Sequence, residues 1–164
     1  MITTDLSNIY INKQGHKFEI SSSAVEQMIH FIQNSPDTSE AGGVMLGRFI
    51  INSKDVVVDK VTVPMKGDNQ SRFRFFRSKH LHQAQIDDEW ATSSGTCNYL
   101  GEWHTHPEPN PTPSLCDLIN WKKKLLFDRF DSDSLFFVIV GTKQINVWQG
   151  IRKTLVMILL TPIT

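Results

Sequence analysis

Four prolines at alternate positions, Pro107, Pro109, Pro111 and Pro113, constrain this chain more than any other feature. Proline fixes φ and lacks an amide donor, so residues 107–113 are neither helix nor central strand. A strand pattern at residues 99–104 leads into this stretch, and an amphipathic helical pattern at 114–127 leaves it. Strand, irregular connection and helix are predicted in that order, with the connection swinging the helix start back toward the strand end. Residues i and i+2 of a strand share a face, so His104 and His106 present both imidazoles to one spot. Ser114 and Asp117 fall in the first helical turn, where the Asp117 carboxylate faces that spot.

The rest of the chain reads as mixed α and β. Residues 8–12 and 17–20 form short strands flanking a Gln14-Gly15 turn. Ser23 and Glu26 make a capping box for a helix over 23–33, with Val25, Met28, Ile29 and Ile32 at helical spacing. Residues 44–51 and 56–64 are rich in β-branched and aliphatic side chains and read as paired strands. A polar loop at 65–71, a short strand at 72–77 burying Phe73 and Phe75, and a weaker helix at 78–90 come next. Leu115, Leu118, Trp121 and Leu125 line one face of the helix at 114–127, and strands at 134–140, 145–149 and 155–160 follow. The expectation is an α+β, sandwich-like fold in one domain over residues 1–164: a curved, mixed or mostly antiparallel sheet packed with helices.

Charge excludes several function classes. Lys plus Arg and Asp plus Glu both number 17, so no long-range field draws the molecule to nucleic acid or anionic lipid. Arg72-Phe73-Arg74-Phe75-Phe76-Arg77 therefore reads as a strand rather than a base-stacking platform, and Lys122-Lys123-Lys124 as a solvated helix face. The apolar run at 155–160 falls far short of the ~20 residues needed to span a bilayer. Residues 1–10 lack a basic start followed by an apolar stretch, so no signal peptide is expected and the reading is cytoplasmic. Cys97 and Cys116 suit free thiols in a reducing compartment, a disulfide being the alternative.

An isolated H-x-H is commonly a surface or core feature, and S-x-x-D is also an ordinary helix start with Ser114 as N-cap. Their conjunction is what points to metal. Two imidazoles and a carboxylate suit zinc and leave a fourth position open for water, the mark of a catalytic site. The pattern H-x-H-P-x6-S-x2-D, met by His104, His106, Pro107, Ser114 and Asp117, resembles the JAMM (MPN+, JAB) zinc metalloprotease family. Upstream, Glu40-Ala41-Gly42-Gly43-Val44-Met45-Leu46-Gly47 resembles the same family's glutamate, glycine pair and strand.

The resemblance implies a cytidine-deaminase-like fold, with His104, His106 and Asp117 as Zn2+ ligands. It also implies that Glu40 takes a proton from the zinc-bound water and delivers it to the leaving amine, while Ser114 hydrogen-bonds the oxyanion. Glu102 stands where eukaryotic members carry an aromatic residue; it shares a face with both histidines and is a rival candidate for the base. Gly42 and Gly43 would let a substrate backbone approach closely. His80-Leu81-His82, on a helix, diverges by about 200° and reads as a solvated face. Cys116 reads as a bystander.

Family members cleave isopeptide or peptide bonds after the C-terminal tail of ubiquitin or a ubiquitin-like protein. Within the family the chain looks most like standalone bacterial deconjugating peptidases of antiphage defence (CBASS-type) operons, encoded beside E1- and E2-like proteins. The implied substrate is a nucleotidyltransferase (CD-NTase) joined through its C-terminus to another protein. The alternatives are a peptidase trimming sulfur-carrier proteins, a DNA-repair-associated relative, and a non-catalytic MPN scaffold domain.

Overall fold

Two consecutive strands at opposite ends of the sheet give the fold its shape. A computed structural model describes residues 8–163; residues 1–7, most of the stretch read above for a signal peptide, lie outside the described residues, as does Thr164. In chain order the elements are β1 (Ile9–Ile11), β2 (Lys17–Ile20), α1 (Ser22–Ile29), β3 (Gly42–Phe49), β4 (Val56–Val61), β5 (Asn69–Ser71) and β6 (Arg74–Phe76). Then come α2 (Lys79–Thr92), β7 (Asn98–Thr105), α3 (Leu115–Phe127), β8 (Ser134–Val140), β9 (Ile145–Ile151), β10 (Met157–Leu159) and β11 (Thr161–Ile163). The main sheet has the order β10-β9-β8-β7-β3-β4-β2-β1-β11 and is mixed, with β2·β4 and β7·β8 parallel. Only Leu160 separates β10 from β11, so the two outer edges lie beside each other and the sheet is rolled. Across the roll, Tyr10 Oη donates to the Ile145 carbonyl at 2.9 Å, and Phe18 stacks on Phe136 at 4.5 Å.

Alternation along β8 divides the core. Phe136, Val138 and Val140 point inward with Tyr10, Phe18, Leu100 and Trp103, against Ala24 and Met28 of α1. Leu135, Phe137 and Ile139 point outward beneath Trp121 and Leu125 of α3. A strand buried on both faces reads as a continuous apolar run, as 134–140 does. No helix among the described residues is long and apolar enough to cross a membrane.

Several local expectations are corrected. The N-cap of α1 is Ser21 rather than Ser23: Ser21 accepts from the Ala24 N–H at 3.3 Å and is pinned to β4 by its own N–H on the Val58 carbonyl at 2.9 Å. This tie to the sheet starts the helix early, and it ends at Ile29 rather than Gln33. Residues 72–77 are not one buried strand. Arg72 and Phe73 form the turn of the β5–β6 hairpin, leaving Phe73 71% exposed. Leu115, in the first turn of α3, is exposed, while Trp121 and Leu125 further along the helix are buried. Lys124 is half-buried rather than solvated, reaching Glu102 at 3.3 Å.

Candidate metal centre

The face on which the two histidines emerge is decided by a bulge. Met45 pairs with Gly101 but Leu46 with Tyr99, so Leu100 is an extra residue in β7. Gly101 has φ +139, and a Cβ there would meet the Phe136 carbonyl oxygen at 1.8 Å, so only glycine fits. The bulge puts Leu100 and Trp103 on the same inner face. Glu102, His104 and His106 are thereby turned outward, toward α3. Without it, His104 would point into the core.

The proline-rich connection is held by β8–β9 backbone: Thr142 N–H donates to the Glu108 carbonyl at 2.8 Å, and Gln144 N–H to that of Pro109 at 3.0 Å. It delivers Ser114 as N-cap of α3. Ser114 Oγ accepts from Asp117 N–H at 3.1 Å, and Asp117 Oδ2 accepts from Ser114 N–H at 2.8 Å, a complete capping box. Asp117 thus caps the helix and still faces the strand, with Oδ2 3.1 Å from His106 Nε2.

Four side chains converge. His104 Nε2 lies 3.0 Å from His106 Nε2; Asp117 Oδ1 is 3.4 Å from the first and Oδ2 3.1 Å from the second. Glu40 Oε1 stands 3.6 Å from His104 Nε2 and 3.8 Å from His106 Nε2. All four donor groups lie within 4.8 Å of one another. Bonds of about 2.0–2.1 Å around a tetrahedral ion give donor–donor edges of roughly 3.3 Å, so these spacings fit a cation in the middle. Glu40 Oε2 and His106 Nδ1 are buried with no hydrogen-bond partner. The atoms that face one another are Glu40 Oε1, the two Nε2 atoms and the Asp117 oxygens, a donor set of imidazole and carboxylate that suits a divalent cation.

Electrostatics separate the two carboxylates. Burial works against ionisation of Asp117, but hydrogen bonds from His104 and His106 and from the Ser114 N–H hold it well below the usual carboxylate range. For Glu40 burial wins over the nearby imidazoles, and the carboxyl is pushed up to about 7. Burial also opposes a charge on His104, yet Asp117 and then Glu40 raise it above its ordinary value. Glu102, on the same face, is engaged elsewhere: it bridges Arg77 Nε at 2.5 Å and Lys124 Nζ at 3.3 Å. Despite burial, these two cations keep it below the usual range.

A cleft of about 390 Å³ opens onto this cluster, walled by Phe75 and Arg77 of the hairpin side and by Ser114, Asn120 and Lys124 on the α3 side. The sequence reads Arg77 as part of a strand and Lys124 as part of a solvated helix face; the signal that places Lys124 at the site is the helix face it shares with Trp121 and Asp117, three and seven residues back. The glycine pair is needed by the chain's own backbone. A Cβ on Gly42 would meet the Trp103 carbonyl at 2.5 Å, and one on Gly43 the Thr62 carbonyl at 2.1 Å. Cys116 and Cys97 are both free thiols. His82 is fully buried, not solvated, on Asp68 and Thr62.

A family model described as prokaryotic homologs of the JAB domain matches residues 21–151. The chain is 36% identical over 127 residues to a CD-NTase/cGAS isopeptidase of Pseudomonas aeruginosa, covering 77% of this chain and 78% of that one. It is 31% identical over 150 residues to a protein of the same description from Vibrio cholerae, covering 92% and 91%. The solution structure of a protein from Desulfitobacterium hafniense aligns with a TM-score of 0.60 over 86% of this chain and 89% of that one; at 22% identity this is a likeness of fold.

Proposed function

This chain belongs to the JAB/MPN domain family, and on that premise we propose that it is a zinc-dependent isopeptidase acting on conjugates of a CD-NTase or of a ubiquitin-like protein. The observation that carries the reading is the convergence of Glu40, His104, His106 and Asp117, two imidazoles and two carboxylates whose facing atoms lie within 4.8 Å of one another.

His104, His106 and Asp117 would hold Zn2+, since two imidazoles and a carboxylate are a donor set it favours. When bound, zinc brings the pKa of a water to about 7 and polarises a scissile carbonyl. The protein supplies the remaining steps. Glu40, buried beside the cluster and pushed up to about 7, is matched to take a proton from the attacking water near neutral pH. It then returns that proton to the departing lysine ε-amine, which leaves as a neutral amine. Ser114 Oγ accepts from Asp117 N–H, so its own hydroxyl hydrogen is free to donate to the oxyanion that develops on the carbonyl. Glu102, held charged between Arg77 and Lys124, positions the cleft wall and does not compete as base.

The substrate reading draws on the two relatives described as CD-NTase/cGAS isopeptidases. Under it the protein works in the cytoplasm, in antiphage defence, reversing conjugation carried out by E1- and E2-like partners. Incubation with a CD-NTase linked through its C-terminal carboxyl to a lysine ε-amine tests this directly. Release of intact CD-NTase with a free C-terminus, stopped by a chelator and restored by Zn2+, is the expected result. An uncleaved conjugate, or cleavage indifferent to the chelator, would overturn the proposal.

A further inference from the structure

A buried polar cluster lies outside the metal centre, around His82. His82 and the Asp68 side chain have no solvent exposure, and their atoms meet at 2.9 Å (Nε2 to Oδ2) and 3.2 Å (Nε2 to Oδ1). On the other side of the ring, His82 Nδ1 lies 2.6 Å from Thr62 Oγ1. Thr62 Oγ1 in turn accepts from Val44 N–H at 2.8 Å, and the Thr62 carbonyl accepts from Trp103 Nε1 at 2.8 Å. Both ring nitrogens of His82 are thus paired, Nδ1 with the Thr62 hydroxyl and Nε2 with the Asp68 carboxylate.

Asp68 also closes a loop. Its Oδ2 accepts from Met65 N–H at 2.7 Å and its Oδ1 from Ser78 N–H at 2.5 Å, the two ends of the excursion that carries the β5–β6 hairpin. The hairpin in turn grips Glu40 on both sides. Glu40 N–H donates to the Ser71 carbonyl at 2.6 Å, and Gln70 Nε2 donates to the Glu40 carbonyl at 3.1 Å. Glu40 precedes β3, and these two bonds hold its own N–H and carbonyl, while the next residue is tied to β7 by Ala41 N–H on Thr105 Oγ1 at 2.9 Å and Thr105 N–H on the Ala41 carbonyl at 2.8 Å. Phe75, on the same hairpin, packs against Gly42.

We propose that Asp68, His82 and Thr62 are positioning residues for Glu40, acting through the hairpin whose root they fix. The buried chain of hydrogen bonds ties together β3, β4, α2 and the hairpin ends, and so sets where the Glu40 carboxylate stands relative to His104 and His106. None of the three touches the reacting atoms. The proposal rests on the reading of Glu40 as the base.

Amide hydrogen exchange and turnover of a CD-NTase–lysine isopeptide probe, measured on the zinc-loaded full chain, test it together. Asp68→Asn is expected to speed exchange at the Glu40 amide and across residues 69–76 at least tenfold, with residues 134–140 and zinc content unchanged. Its kcat should fall about tenfold or more, with a smaller change in KM. Gln70→Ala, at an exposed position that does not threaten folding, should lower kcat through the same path. The double variant should then lose less than the product of the two single losses, because both act through one contact. A change in Tm with kcat intact in both variants, or fully multiplicative losses, would overturn the positioning role. If the Glu40 amide is deprotected as expected but Glu40→Gln retains full turnover, the assignment of the base fails while the hairpin link stands. Should Asp68→Asn not fold, Gln70→Ala alone decides: unchanged exchange at Glu40 and unchanged kcat would sink the proposal.

Discussion

The chain contains the same H-x-H spacing twice, and the two copies do opposite things. His104 and His106 lie on and just beyond β7, where i and i+2 share a face, and their Nε2 atoms meet at 3.0 Å in a cluster with unpartnered buried atoms. His80 and His82 lie on α2, where the same spacing splays them: His80 is exposed, and His82 is buried with both ring nitrogens paired. Spacing acquires meaning only from the element that carries it. Surroundings then separate the roles: the His82 ring is held by Thr62 and Asp68 on opposite sides, whereas His104 and His106 turn Nε2 toward the same point as two carboxylates.

The sharpest break of this comparison is His106→Ala, expected to lose both metal and turnover entirely; zinc retained at one per chain by elemental analysis would remove His106 from the ligand set. Next in size, Glu40→Gln should keep the metal and lose about 10²–10⁴-fold in kcat, the usual range for a general acid–base group. If steady-state kinetics show wild-type turnover, Glu102 becomes the base to test. Ser114→Ala should cost about 10²–10³-fold in kcat as a lost oxyanion donor. It should also cost about 1 kcal/mol of stability as a lost N-cap, read from urea unfolding. A stability loss without a kinetic one would leave Ser114 as a cap alone.

A smaller effect appears in the metal-free protein. Glu40 sits at about 7 when folded against an ordinary 4.5, so unfolding releases its proton between these values. That contribution to stability is full below pH 4.5 and is lost as pH rises through about 7. His104, also raised, adds to the same slope. Urea midpoints across pH should show the decline, and Glu40→Gln should flatten it; an unaltered slope in the variant would contradict the shift. Smallest of all, His80→Ala should change stability by less than about 0.5 kcal/mol and leave metal and turnover alone. A measurable activity loss there would erase the distinction between the two motifs.

Much of this was legible from local rules. The continuous apolar run at 134–140, the S-x-x-D helix start and the strand spacing of His104 and His106 follow from backbone geometry, whereas Glu40 is reached only through resemblance to the family's glutamate and glycine pair. What escaped reading depends on tertiary contacts. The bulge at Leu100–Gly101 selects the histidines' face but leaves only a lone glycine in the sequence. Ser21 overrides Ser23 because β4 reaches it, which no helical pattern encodes. Closure of the sheet through Leu160 needed the pairing of residues 161–163 with β1, a strand too short to announce itself. His82 looked solvated because its partners, Asp68 and Thr62, lie 14 and 20 residues away.

Zinc-edge anomalous diffraction from crystals of the protein decides whether the cluster holds the metal. One peak per chain is expected, about 2.0–2.2 Å from His104 Nε2, His106 Nε2 and an Asp117 carboxylate oxygen, with Glu40 outside bonding distance. A zinc-soaked crystal showing no peak there, with the two imidazoles hydrogen-bonded to each other and to Asp117, would contradict it.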